Sequence, residues 1–182
     1  EGISLVGGYA KGRAFVLKPV SDYEIKQTDA PLSEQKKFRK AVQALEKSFS
    51  KALKNKISEE QKVLLEMSKM LLLDRGWNRK IEEKILKGVT AQTAICQVTE
   101  EITRQMKELN DAYLRERMND FQDLATRLLY YLDGSESEKL SGSVILLAKN
   151  LGPAQLMDYD LTQIKGIVLA EGSSTMHMAI VA

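Results

Sequence analysis

The sequence predicts an α+β (or α/β) fold: a small β/α domain interrupted by an inserted antiparallel helical bundle. Three observations lead there. Apolar, β-forming runs stand near both ends of the chain. The long middle zone carries apolar residues at helical spacing. A polar stretch, Ser135 to Ser141, separates that zone from the second β-forming region.

The elements follow in order. Lys11 to Lys18 ends in the run Ala14-Phe-Val-Leu17, is stopped by Pro19, and reads as a strand. Gly7, Gly8 and Gly12 mark turns or close backbone approach. From Ser33 to Gly134 the pattern is helical. Phe38, Val42, Leu45, Phe49 and Leu53 fall on one stripe, with Ser33 as the expected N-cap. Ser58-Glu-Glu-Gln61 matches a capping box and opens a second helix through Leu73. Trp77 to Lys87 forms a third, closed by Gly88. Thr90 caps a fourth, lined by Ile95, Val98, Ile102, Met106 and Leu109. A fifth starts at Asn110 or Asp111 and carries Leu114, Phe121, Leu124, Leu128 and Leu132 up to Gly134. Short connections between amphipathic helices predict an antiparallel bundle.

After residues 135–141, Ser143 to Ala148 reads as a buried strand, and Gly152-Pro153 opens a short helix with proline at its first position. Lys165 to Ala170 is a strand, Glu171 to Thr175 a turn, and Met176 to Ala182 the start of a helix carrying His177, the only histidine. This βαβα order predicts a sheet that the first strand joins. The domains are therefore 1–30 with 142–182 for the β/α part, 31–134 for the insertion, and 135–141 for the linker. The chain stops inside its last predicted helix, which reads as a truncation, and Glu1-Gly-Ile-Ser reads as the start of a mature domain.

Composition narrows the function classes. Hydrophobic residues make up 43% and charged residues 29% of 182, the balance of a globular protein. A net charge of +2 gives no reason to expect nucleic acid or acidic lipid as a partner. No apolar run is long enough to cross a membrane, and a cytoplasmic setting fits. One cysteine, Cys96, excludes an internal disulfide and reads as a small buried filler. One cysteine and one histidine exclude a zinc cage within the chain.

His177 is the candidate nucleophile. The first turn of a helix leaves backbone N–H groups unpaired, and these favour anions. The same helix end disfavours imidazolium, which keeps the ring neutral and nucleophilic at neutral pH. An imidazole placed there can take up a phosphoryl group and have its new charge met by amides. Thr175 is placed to cap the helix or bond a phosphate oxygen. Ser173 and Ser174 read as turn residues.

The order strand, inserted helical hairpins, linker, strand–turn–His–helix resembles the N-terminal half of Enzyme I of the bacterial phosphotransferase system, a phosphoenolpyruvate–protein phosphotransferase. The stretches that carry the likeness are Gly8-Tyr-Ala-Lys-Gly-Arg-Ala14, Glu59-Glu60 with Glu66 and Met70-Leu-Leu72, Asp111-Ala-Tyr-Leu-Arg-Glu-Arg117, Val144 to Ala148 and Gly166 to Leu169. The resemblance implies a phosphohistidine swivelling-type domain. It implies that His177 takes a phosphoryl group from phosphoenolpyruvate and passes it to a histidine of the carrier HPr. It also implies that the inserted helices dock HPr, and that a separate C-terminal barrel binds phosphoenolpyruvate and Mg2+. No metal site is expected within these 182 residues, and the piece is expected to be monomeric. The run Gly172-Ser-Ser-Thr-Met-His177 departs from the family's Gly-Gly-x-Thr-Ser-His: it keeps Gly172, Thr175 and His177 and replaces the second glycine by Ser173 and the last serine by Met176. Gly152 stands where the family has a threonine.

The likeness assigns Glu59, Glu60, Met70, Leu71, Asp74 and Arg117 to carrier binding. Each also has a structural reading. The acids suit a solvated helix face with a capping box, Met70 and Leu71 suit a core, and Arg117 suits a pair with Asp111 or Asp120. Yet Leu64, Leu65, Met67, Met70, Leu71, Leu72 and Leu73 are too many for one buried stripe. From Glu59 to Gly76 four acids face three bases, a nearly neutral tally that predicts weak steering of a basic carrier. Two alternatives stand beside phosphoryl transfer. One is a regulatory or interaction module of the same fold. The other is the mobile domain of another phosphoenolpyruvate-utilising enzyme, such as pyruvate phosphate dikinase.

Overall fold

The computed structural model describes residues 7–17, 23–54, 57–108, 112–134, 140–149, 151, 156 and 159–170, without the side chains of 112–117 and 119. The chain divides into two compact units. One is Glu1–Pro19 with Ser137–Ala182; the other is Val20–Glu136.

The first unit holds a three-stranded parallel sheet in the order β1-β2-β3: β1 (Arg13–Val16), β2 (Val144–Ala148) and β3 (Ile164–Leu169). The N-terminal strand joins the sheet as its sequence suggested, pairing Phe15 with Leu146. All three strands start away from their expected limits, β2 at Val144 rather than Ser143. β3 begins at Ile164 because Val144 donates to the carbonyl of Gln163 and extends the ladder backwards. β1 begins only at Arg13. Gly12 lies against the backbone of Ser143, where a Cβ would sit 2.8 Å from its carbonyl oxygen. Only glycine allows the two chains so near. Along β2, Val144, Leu146 and Ala148 are buried and alternate with half-exposed Ile145 and Leu147, the period of a pleated strand.

The second unit is built on five helices among its described residues: α1 (Pro31–Ala52), α2 (Glu59–Leu72), α3 (Arg75–Leu86), α4 (Ala91–Glu108) and α5 (Ala112–Leu132). Its core joins Phe38, Leu45 and Phe49 of α1 to Leu65 and Leu72 of α2, Trp77, Ile81 and Ile85 of α3, Ile95 and Val98 of α4, and Leu124 and Leu128 of α5. Most of the periodic positions are therefore core. Val42, Leu53, Ile102, Met106, Phe121 and Leu132 are only partly buried at its rim, and Leu109 and the side chain of Leu114 lie outside the described residues. Cys96 is buried, and burial pushes its thiol up to about 12, so it stays protonated and inert at neutral pH.

Helix starts show where local chemistry overrules a first reading. Ser33 is not the N-cap of α1. Pro31 opens the helix and Ala30 holds the cap position without a side-chain bond, because proline is preorganised for the first helical turn. α3 starts at Arg75, two residues before Trp77, because Asp74 accepts a hydrogen bond from the Trp77 amide at 2.7 Å. The capping box on α2 is complete: Gln61 N donates to Ser58 Oγ, and Ser58 N donates to Gln61 Oε1. Thr90 Oγ1 accepts from Thr93 N at the start of α4, as expected, and Gly88 closes α3 with φ +96°. The expected caps Asn110 and Asp111 and the helix opening at Gly152-Pro153 lie outside the described residues.

Ahead of α1, the segment around Gln27 lies along the α3–α4 turn. Gln27 bridges Val89, Thr28 N donates to the Gly88 carbonyl, Thr90 N to the Lys26 carbonyl, and Lys26 N to Thr93 Oγ1.

Candidate functional site

β2 and β3 run parallel, and both end at the same edge of the sheet. Ala170 N donates to the Ala148 carbonyl at 3.0 Å, and Leu17 N, at the end of β1, donates to the Leu147 carbonyl at 2.9 Å. All three strands therefore deliver their carboxyl ends together. In open α/β sheets that edge is where ligands are held. His177 follows Ala170 in the chain. It lies outside the described residues, with Gly172, Ser173, Ser174, Thr175 and Met176. The sheet beneath this edge is well built. Gly166 lets Ile145 pack across it, where a Cβ would meet Ile145 Cδ1 at 3.1 Å. Asp160, in the turn before β3, accepts from the amide and hydroxyl of Thr162 and from the side chain of Gln163. Those bonds hold its carboxyl below its ordinary value. Among the described residues no three His, Cys, Asp or Glu side chains gather as a metal site.

The second candidate surface is α2, and the structure separates the residues assigned to it. Leu65 and Leu72, seven apart, point into the bundle. Val63 and Met70, also seven apart, point out, with 52% and 64% of their surface exposed, and Leu73 follows at 44%. Leu71 is half-buried and does not share that direction. The sequence reading found the surplus of apolar residues and Met70 but missed Val63. The signal was present as two interleaved seven-residue spacings, one inward and one outward.

Glu59 and Glu60 are exposed in the first turn of α2, where acidic groups complement the helix end. Glu59 and Glu66 fall on the same line as Val63 and Met70, at spacings of four, three and four. Lys69 leaves this line. Its ammonium donates to Ser50 Oγ at 3.0 Å and pairs with Glu46 of α1 at 3.6 Å. The outward face is accordingly more acidic than the residue tally implied. Asp74 is exposed, and one of its oxygens is engaged as the α3 cap. Asn78 Nδ2 donates to the carbonyls of Leu72 and Asp74, which fixes the corner after the stripe. Arg117 lies within α5, with its side chain outside the described set.

A parallel sheet whose three strands end at one edge and a separate helical unit with an outward apolar stripe define an architecture for which relatives are known. Residues 1–117 match the family "PEP-utilising enzyme, N-terminal", and residues 140–182 match "PEP-utilising enzyme, mobile domain". The chain belongs to the PEP-utilising enzymes. It is 32% identical over 203 aligned residues to a phosphoenolpyruvate-protein phosphotransferase of Cupriavidus necator, covering 100% of this chain and 34% of the relative. Over 51% of this chain, and 20% of the relative, it is 37% identical to DhaM of Escherichia coli, the phosphoryl donor subunit of a PEP-dependent dihydroxyacetone kinase. A solution structure of Enzyme I superposes with a TM-score of 0.69 at 28% identity, covering 100% of this chain and 77% of that one. The likeness identifies the fold as that of the Enzyme I N-terminal region, a helical bundle with a β/α domain. The chain spans about a third of the length of the phosphotransferases it matches.

Proposed function

We propose that this chain is the phosphoryl-carrying and carrier-docking portion of a phosphoenolpyruvate–protein phosphotransferase, with His177 as the residue that is phosphorylated. One observation carries the reading most: the mobile-domain match contains the only histidine, a few residues beyond a parallel sheet edge where three strands end together. A neutral imidazole nitrogen of His177 attacks phosphorus. The P–O bond to enolpyruvate breaks, a P–N bond forms, and pyruvate leaves after the enolate takes a proton. In the second step a histidine nitrogen of the carrier attacks, and the P–N bond to His177 breaks. We assign Thr175 and the run Gly172-Ser-Ser174, which precede His177 in the sequence, to the phosphate's surroundings. Such chemistry depends mainly on positioning and on meeting charge.

The partner in the second step is an HPr-like carrier that seats on the α2 face, with Val63, Met70 and Leu73 as its apolar contact and Glu59, Glu60 and Glu66 as its acidic margin. The family likeness assigns Leu71, Asp74 and Arg117 to the same partner. Phosphoenolpyruvate binds the remainder of the full-length protein, where Mg2+ supplies charge neutralisation; the described residues offer no donor cluster for it, and no step here passes through it. The setting is the cytoplasmic phosphotransferase system, in its sugar-transport or regulatory branch, and the piece acts as a monomer.

The replacement of Ser by Met176 beside the histidine favours a second reading, a regulatory module that binds the carrier without efficient transfer. Incubation with labelled phospho-HPr separates the two. Label on the native chain and none on His177→Ala supports transfer. Carrier binding with no label on either supports the regulator and overturns the proposal.

A further inference from the structure

An overall charge of +2 conceals an uneven distribution. Lys36, Lys40, Gln43, Lys47, Lys51 and Lys54 follow one another along α1 at spacings of four, three, four, four and three. At 3.6 residues per turn they fall within roughly 80° of arc and extend over about 27 Å. All six are exposed. Leu53 remains helical at φ −64°, so Lys54 continues the line past the end of the helix. Among the described residues none of these five lysines forms an ion pair. The neighbouring charges are already engaged: Lys37 with Glu34, Arg39 with Glu82, and Glu46 with Lys69.

The ridge ends in apolar surface. Leu32, one turn before Lys36, is 68% exposed. Gln35 and Arg39 both donate to Glu82, and Thr28 N donates to the Gly88 carbonyl, which sets the end of α3 beside the start of α1. There Leu86 is 54% exposed. The opposite face of α1 is occupied, since Phe38, Ala41, Leu45 and Phe49 are buried in the bundle.

We propose that this ridge is a docking surface for an anionic lipid bilayer, on which the helical unit rests reversibly through α1. A straight line of lysines on a convex rod can meet a plane along its whole length. Lysine is a hydrated point charge, suited to a diffuse negative surface rather than to forked recognition. The ridge holds no arginine to read base edges and no aromatic ring to stack on bases, which disfavours nucleic acid. Lysine clusters of this size are attracted to acidic headgroups, and the exposed leucines at the ridge end add apolar contact at the interface. No described helix is long and apolar enough to span a membrane, so the association is peripheral. It is independent of phosphoryl transfer.

Vesicle flotation of the 182-residue chain tests this. Binding to phosphatidylglycerol-rich vesicles at low salt, weakening as salt rises and absent on phosphatidylcholine, is expected. Each lysine removed should lower partitioning about five-fold, so Lys40→Gln with Lys47→Gln lowers it about 25-fold. Arg104→Gln with Lys107→Gln on α4, both exposed, removes equal charge elsewhere and leaves binding within about two-fold of native. Circular dichroism melts check that each variant folds, and Lys36→Gln with Lys51→Gln replaces any that does not. The proposal is overturned by no binding to anionic vesicles at low salt, by equal binding to both lipids, or by equal loss in ridge and control variants. Capture of duplex DNA in preference to vesicles also overturns it.

Discussion

Glu34 shows how a single side chain joins two helices. It stands in the first turn of α1, yet it is 92% removed from solvent, since only 8% remains exposed. Its Oε2 accepts the Ala91 amide at the start of α4 at 2.9 Å, and its Oε1 accepts from Lys37. Burial pushes the carboxyl up, but the Lys37 bond and the Ala91 amide together outweigh it and hold it below its ordinary value. A depressed carboxyl contributes stability above its unfolded value of 4.5, and that contribution fades as pH falls through the folded value. Glu34→Ala should cost about 2 kcal/mol in urea unfolding at pH 7, with the gap from native closing below about pH 4.5. Gly12 is a second sensitive position. Gly12→Ala places a methyl against the Ser143 backbone and should cost about 1–3 kcal/mol, read from the same unfolding curves. Unchanged stability would mean that the two chains separate freely there.

At the scale of elements, the helices were legible because their apolar spacing is regular and their ends carry recognisable caps. The capping box of α2 and the Thr90 cap of α4 needed only local sequence. Ser33 misled because serine is a good cap wherever it stands, while Pro31 decided the actual start. The trans cap from Glu34 to α4 was illegible, since its partners are 57 residues apart and no local rule joins them. On α2 the excess of apolar residues was visible, but its direction was not: only the packing of Leu65 and Leu72 shows that Val63, Met70 and Leu73 face outward. A prediction follows for that helix. Met70→Asp should leave unfolding within about 0.5 kcal/mol of native and weaken HPr binding at least about ten-fold by calorimetry. Leu71→Ala, half-buried, should lower stability more and binding less. The opposite ranking would move the docking surface off this stripe.

For the whole molecule, the chain divides into two compact units, one holding a parallel sheet and one a helical bundle. The segment ahead of α1, which the sequence put with the sheet, groups instead with the helices because Lys26, Gln27 and Thr28 bond to the α3–α4 turn. The sheet was legible in its strands and in the joining of the first to the others, because a buried run between two further β-formers needs partners on both edges. Charge was the least legible property, because counting lysines says nothing of the line they form on α1. The candidate site was read from the six residues Gly172 to His177, which lie outside the described residues, and the structure places the sheet edge that precedes them in the chain. The central claim is that the lone histidine carries the phosphoryl group. Its most direct test is peptide mapping by mass spectrometry under alkaline conditions, after the full-length protein is incubated with phosphoenolpyruvate and Mg2+. An acid-labile phosphate confined to the peptide containing His177 is the predicted result. Phosphate on any other residue, with His177 unmodified, would contradict it.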